Sequence, residues 1–126
     1  MYFDLLTKIK NAQAVKKESV KLLYSNMDFA VAELLVKHKF LEAASKKGRM
    51  PKRILEVKLK YQDGKGVMQN FRILSKPSRK LYIGYKDIRR VRQGYGLLAL
   101  STPKGILDGK SARQQKLGGQ LLFEIW

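Results

Sequence analysis

Ser101, Thr102, Lys104 and Gly105 form a short polar stretch, interrupted by Pro103, directly after the apolar run Leu97-Leu98-Ala99-Leu100. Clustered hydroxyls, backbone groups released by a turn and a flanking ammonium suit contacts to phosphates, sugars and base edges, whereas none of them is a strong catalyst alone. Taken by itself the stretch also fits an ordinary strand-ending loop. A second set lies upstream, where Tyr82, close to Tyr85, stands between Arg79-Lys80 and Lys86, with Lys76 in the same basic turn. Such a ring can stack on a base or ribose while the cations hold the backbone. The alternative is a half-buried strand residue with its hydroxyl in water. Lys86, Arg89, Arg90 and Arg92 carry the positive charge on to Gly94-Tyr95-Gly96.

The whole composition favours the same chemistry. Lys+Arg number 27 against 10 Asp+Glu, a formal net charge of +17 over 126 residues. A polyanion is the expected partner, because neutralising phosphates releases condensed counterions. Nucleic acid comes first and an anionic membrane surface second, the latter belonging to the alternative class of a basic scaffold whose main contacts are protein or anionic lipid, with RNA incidental. No apolar run approaches the ~20 residues of a membrane span, and Asp4 and Lys8 interrupt the start where a signal peptide would be apolar. The expectation is a soluble intracellular chain with no membrane partner. With no cysteine and only His38 as histidine, disulfides, thiolate catalysis and cysteine- or histidine-built metal sites are not expected.

Two motifs imitate nucleotide-binding loops. Gly94-Tyr95-Gly96-Leu97-Leu98-Ala99 has the letters of a dinucleotide fingerprint, but that motif needs a helix after it and a strand follows here. Gly105 to Ser111 is one residue short of a P-loop, which requires four residues between its glycines. A hydrolase using Ser101 would have only His38 as a base, and His38 fits better as a cation at a helix C-terminus. An enzyme is not expected, nor a cofactor.

The elements that must position these residues follow from periodicity. Tyr2, Leu5, Leu6, Ile9 and Ala12 share one helical face, predicting a helix over 2–14. Ser19 to Tyr24 reads as a strand, and Ser25 with Asp28 resembles a capping box for a second helix to about Lys39. A strand over 40–44 leads to the loop Lys46-Lys47-Gly48-Arg49-Met50-Pro51-Lys52-Arg53, which is either a solvated hairpin tip or a direct phosphate contact. Leu55, Val57, Leu59 and Tyr61 alternate with polar residues and predict a strand; Asp63-Gly64-Lys65-Gly66 supplies a turn, and Val67 to Ile73 repeats the period of two. Pro77 is expected at an edge or loop. Ser111 with Gln114 predicts a capped short helix, Gly118 its C-terminal stop, and Leu121, Phe123 and Ile125 a last strand.

Several of these motifs together resemble one family, the eighth protein of the small ribosomal subunit in its bacterial form. Asp4-Leu5-Leu6-Thr7-Lys8-Ile9-Lys10-Asn11-Ala12 looks like the family's opening helix, and Ser75-Lys76-Pro77 followed by Tyr82 like its central turn. Gly94-Tyr95-Gly96, Ser101-Thr102-Pro103-Lys104-Gly105-Ile106, Ala112-Arg113 and Gly118-Gly119 are similar to its signature region in order and spacing. The resemblance implies an α+β protein of two small subdomains. Residues 1–64 would be two helices on a short sheet, and residues 65–126 a mostly antiparallel β subdomain with a short helix that binds RNA.

It also implies a cytoplasmic, ribosome-bound structural protein, a primary binder of an irregular helix in the central domain of small-subunit ribosomal RNA that supports assembly and translation beside neighbouring ribosomal proteins. The family can also bind its own messenger RNA as a repressor. Under this resemblance the RNA-contacting set is Ser101, Thr102, Lys104, Gly105, Tyr82, Lys76, Arg79, Lys80, Lys86, Arg90, Gly118, Gly119 and Gln120, with Asp4, Thr7, Lys8, Lys10 and Asn11 on the opening helix. Two positions depart from the family pattern. Pro103 stands where a second serine is usual, and removes a hydroxyl and a backbone donor while pre-setting its own φ. Gln120 stands where glutamate is common, exchanging a charge for an amide donor.

Overall fold

A computed structural model describes residues 2–49, 52–76, 78–88 and 96–126. The chain divides into two compact units, Met1–Gln69 and Asn70–Trp126, and its class is α+β.

In the first unit, α1 (Tyr2–Ala14) and α2 (Asn26–Lys37) accompany a sheet of β1 (Ser19–Leu23), β2 (Leu41–Lys47) and β3 (Ile54–Leu59) in the order β1-β3-β2, with both pairings antiparallel. Leu5, Leu6 and Ile9 of α1, Val31, Ala32 and Leu35 of α2, and Leu55, Val57 and Leu59 of β3 are all buried. This is the outcome that the period of 3.6 in the helices and of two in β3 demanded. The Ser25 side chain accepts from the Asp28 backbone N–H at 3.1 Å and caps α2. The helix stops at Lys37 with His38 as its C-cap, because Lys39 turns left-handed at φ 67°. A two-stranded hairpin follows, β4 (Tyr61–Gln62) with β5 (Lys65–Gly66), and its loop residues Asp63 and Gly64 both have positive φ. Asp-Gly is favoured in two-residue hairpin loops because both positions must be left-handed there.

Gln13 ties this hairpin side of the unit to α1. Its amide nitrogen donates to the Met68 carbonyl at 2.9 Å, and its carbonyl accepts from the Met68 N–H at 3.2 Å, all in buried surroundings. Gln13→Leu would keep the volume and leave both Met68 groups without a partner, so a loss of about 2 kcal/mol is expected. Urea unfolding checks it. An unchanged midpoint would mean that water reaches Met68.

In the second unit, β6 (Phe71–Ile73), β10 (Gly119–Ile125), β8 (Leu97–Thr102) and β9 (Gly105–Asp108) lie side by side in that order, and β7 (Tyr82–Ile83) also pairs with β10. All of these pairings are antiparallel. Ile88, Leu98, Leu100 and Ala112 are the buried centre of one face, with Leu74, Ile83, Tyr85, Leu107, Leu121 and Trp126 packed round it. The short α3 (Gly109–Gln114) contributes Ala112.

Several local expectations are corrected. β2 runs on through Lys46 and Lys47, since their backbones still pair with Leu55 and Ile54, so the basic loop is shorter than its composition suggested. Only Phe71–Ile73 of the alternating stretch 67–73 is a strand; the Met68 backbone is held instead by Gln13. The cap of α3 is Asp108, whose carboxylate accepts from Ser111 N–H at 3.1 Å, and not Ser111 itself. The helix ends in Gln115 and a left-handed Lys116 at φ 57°, not in Gly118. In β10 the register shifts between Leu121 and Phe123, so Leu122 and Phe123 are both buried and the simple alternation breaks.

Candidate nucleic-acid interface

Register places three of the expected contact residues in one line. Tyr82 of β7 pairs with Gln120 of β10, and Gln120 pairs with Ser101 of β8. Residues directly opposite in antiparallel strands point to the same face, so Tyr82, Gln120 and Ser101 form a row across the sheet. Ile106 of β9, opposite Ser101, continues it. Tyr82 is 70% exposed. The half-buried alternative therefore fails, and the ring is open to a planar ligand.

A basic loop flanks the Tyr82 end. Lys76 and Arg79 exchange both backbone hydrogen bonds at 2.9 Å, closing a tight turn whose Lys76, Arg79 and Lys80 side chains are exposed. The loop is fastened from inside by Ser75, a buried residue whose hydroxyl accepts from the Leu81 N–H at 2.9 Å and donates to the Leu81 carbonyl at 3.3 Å. The Leu81 carbonyl in turn accepts from Leu121 N–H, which sets Tyr82 into register with Gln120. Ser75 had no periodic signal, because a bond between residues 75 and 81 belongs to a loop. Lys86 is exposed on a one-turn 3-10 helix, Tyr85–Asp87. Arg90, and with it Gly94 and Tyr95 of the signature, lies outside the described residues.

At the other end of the row the hairpin β8–β9 turns through Pro103 and Lys104, closed by the pair Thr102 and Gly105. Thr102 is 9% exposed. Its hydroxyl donates to the Gly105 carbonyl at 2.8 Å and accepts from the Lys104 N–H at 3.2 Å, so it holds the turn. Gly105 takes φ 107°, which an L side chain rarely adopts. Pro103, Lys104 and Gly105 face solvent.

The paired glycines are where strands approach too closely for a side chain. A Cβ on Gly118 would stand 2.5 Å from the Ile83 carbonyl oxygen and 3.0 Å from Gly84 Cα. One on Gly119 would fall on the Ser101 carbonyl oxygen, 2.9 Å from the Ser101 carbonyl carbon and 3.3 Å from Thr102 Cα. Gly118 and Gly119 thus let β7, β10 and β8 converge beneath the row.

In the first unit, Asp4, Thr7, Lys8 and Asn11 are exposed at spacings of three and four residues and make one stripe along α1, with Lys10 exposed on another side. The seventeen described residues of the expected contact set, Arg90 being outside them, therefore fall into two groups, one on each unit, and Tyr82, Gln120 and Ser101 are the three that register aligns. Among the described residues no group of three or more His, Cys, Asp or Glu side chains could hold a metal ion.

The comparisons agree with the signature. A family model described as Ribosomal protein S8 matches residues 2–126. Small ribosomal subunit protein uS8 of Vesicomyosocius okutanii subsp. Calyptogena okutanii is 40% identical over 123 residues, covering 98% of this chain and 94% of that protein. The proteins of the same name from Nitratidesulfovibrio vulgaris strain DP4 and from Ruthia magnifica subsp. Calyptogena magnifica are 37% and 35% identical, over the same shares of each chain.

Proposed function

Because the chain belongs to the ribosomal protein S8 family, a structural and non-enzymatic family of the small ribosomal subunit, we propose that it is a primary binder of an irregular helix in the central domain of the subunit's RNA. The observation that carries this reading is the row Tyr82, Gln120 and Ser101, bounded by a basic loop at one end and a rigid hairpin turn at the other. Lys76, Arg79, Lys80, Lys86 and Lys104 supply phosphate contacts and hence affinity. The exposed Tyr82 ring stacks on an unpaired base, Gln120 and Ser101 reach sugar or base edges, and the shape of the turn selects an irregular helix over a regular one. Asp4, Thr7, Lys8, Lys10 and Asn11 add contacts from the opening helix. The chain acts in the cytoplasm as part of the ribosome, beside other small-subunit proteins. A messenger RNA that folds into a similar irregular helix, including the chain's own, would meet the same surface.

Binding of a central-domain helix fragment against random duplex RNA, at several salt concentrations, tests the proposal. The fragment should be preferred at every salt concentration. Tyr82→Leu should keep the fold and weaken fragment binding about tenfold, which is one base stacked on an aromatic ring. Equal affinity for fragment and random duplex would overturn it. The alternative of a scaffold for anionic lipid draws on the same net charge; among the described residues no helix is long and apolar enough to cross a membrane, and flotation with anionic vesicles in moderate salt would expose surface binding.

A further inference from the structure

The end of the three-stranded sheet in the first unit carries a second set of cations and rings, separate from the row in the second unit. The Tyr24 N–H donates to the Arg53 carbonyl at 3.0 Å and extends the pairing of β1 with β3 by one residue. The rings of Tyr24 and Phe29, at the start of α2, lie 5.7 Å apart at 44°. Lys46 Nζ stands 5.3 Å from the Phe29 ring centre and 5.9 Å from that of Tyr24, and the Arg53 guanidinium stands 5.4 Å from Tyr24. No carboxylate among the described residues forms an ion pair with Lys46 or Arg53. A guanidinium resting on a ring keeps its in-plane N–H groups for an outside acceptor, and an ammonium on a ring keeps its outward donors.

On the opposite, open face of the sheet the charge is only partly compensated. Glu56 accepts from Lys47 at 3.1 Å and lies 3.7 Å from Lys21, one carboxylate between two ammoniums. The hydrogen bond from Lys47 holds the Glu56 carboxyl below its usual range. Arg49 and Lys52 are exposed beyond it, joined by a backbone bond from Lys52 N–H to the Arg49 carbonyl at 2.9 Å. Leu23, 77% exposed, and Ile54, 39% exposed, face each other directly across β1 and β3.

We propose that this sheet end is a second RNA-binding surface that takes an unpaired ribosomal RNA segment outside the central-domain helix, with Leu23, Ile54 and Lys47 on the open face of the sheet, Tyr24, Lys46 and Arg53 on the face that carries α2, and Arg49 and Lys52 beyond the ends of β2 and β3. It rests on the reading that the chain binds ribosomal RNA and extends it, within the first unit, from the opening helix to the sheet. Two exposed aliphatic side chains are far too little apolar area for a stable protein interface, which buries about 800 Å² per partner. They do suit the apolar face of a ribose or an unstacked base, with phosphates on Lys47, Arg49 and Lys52.

The test uses the full chain, an Arg49→Glu/Lys52→Glu double variant, the central-domain fragment and the whole small-subunit RNA. The variant should bind the fragment within about twofold of the unmodified chain, bind the whole RNA about tenfold or more weakly, and lose about one to two units of salt slope on the whole RNA. A benzophenone side chain at position 23 should crosslink to nucleotides outside the fragment. Unchanged affinity for the whole RNA would overturn the proposal, as would crosslinks only to protein, to lipid or to nucleotides within the fragment. Loss of fragment preference by the unmodified chain counts against the central-domain reading alone, since the arms on whole RNA still report on this surface.

Discussion

Gly119→Ala should destabilise the protein by about 3 kcal/mol, near the upper end for overpacking, because the new methyl meets backbone and not a side chain that can move aside. Its Cβ would fall on the Ser101 carbonyl and within 3.3 Å of Thr102 Cα. β10 could accept it only by moving away from β8, which would break the pairing of Gln120 with Ser101. Fragment binding should therefore fall at least tenfold in whatever fraction remains folded, and the melting midpoint by roughly 10 °C. Gly84→Ala is the control, since a Cβ there has nothing within 4 Å. If Gly119→Ala melted with the unmodified protein, the close approach of β8 and β10 would not be needed, and the glycine would have to be explained by direct contact with RNA.

Thr102→Val separates turn shape from direct contact. The substitution keeps the volume and removes the two hydrogen bonds that join Thr102 to Lys104 and Gly105. A stability loss of about 1 kcal/mol is expected, because the backbone groups it frees face solvent on their outer side. On RNA the turn loosens, and binding to the central-domain fragment should weaken about tenfold with random duplex unchanged. Lys80→Ala should instead weaken both RNAs and lower the salt slope by about one. A Thr102→Val protein with an unaltered ratio of fragment to random binding would remove specificity from the hairpin turn and leave it to the row. Pro103 works in the same direction as the hydroxyl, since its fixed φ stiffens the turn that presents Lys104 and Gly105.

The elements legible in the sequence were those with a local cause. α1 matched its apolar spacing from end to end, the Ser25 cap started α2, and the alternation at Leu55, Val57 and Leu59 became a strand with those three side chains inside. Errors arose where a distant partner overrode a local pattern. Val67 to Ile73 alternates, yet Gln13 on α1 captures the Met68 backbone and only the last three residues pair as a strand. Gly118 looked like a helix stop, but Lys116 provides the left-handed residue, and the glycine is required by the backbone of Ile83 and Gly84.

The candidate interface divides along the same line. Net charge, the exposed turn residues and the ordered motifs of the signature are properties of composition and order, and they pointed by themselves to a basic, RNA-binding ribosomal protein of α+β class. That Tyr82, Gln120 and Ser101 stand in one row, and that the Thr102 hydroxyl is spent on its own turn, was decided only by the register of β7, β10 and β8. Register joins residues some twenty and forty positions apart through backbone hydrogen bonds and a bulge at Leu122, and a local period of two carries no information about which distant strand will supply the partner.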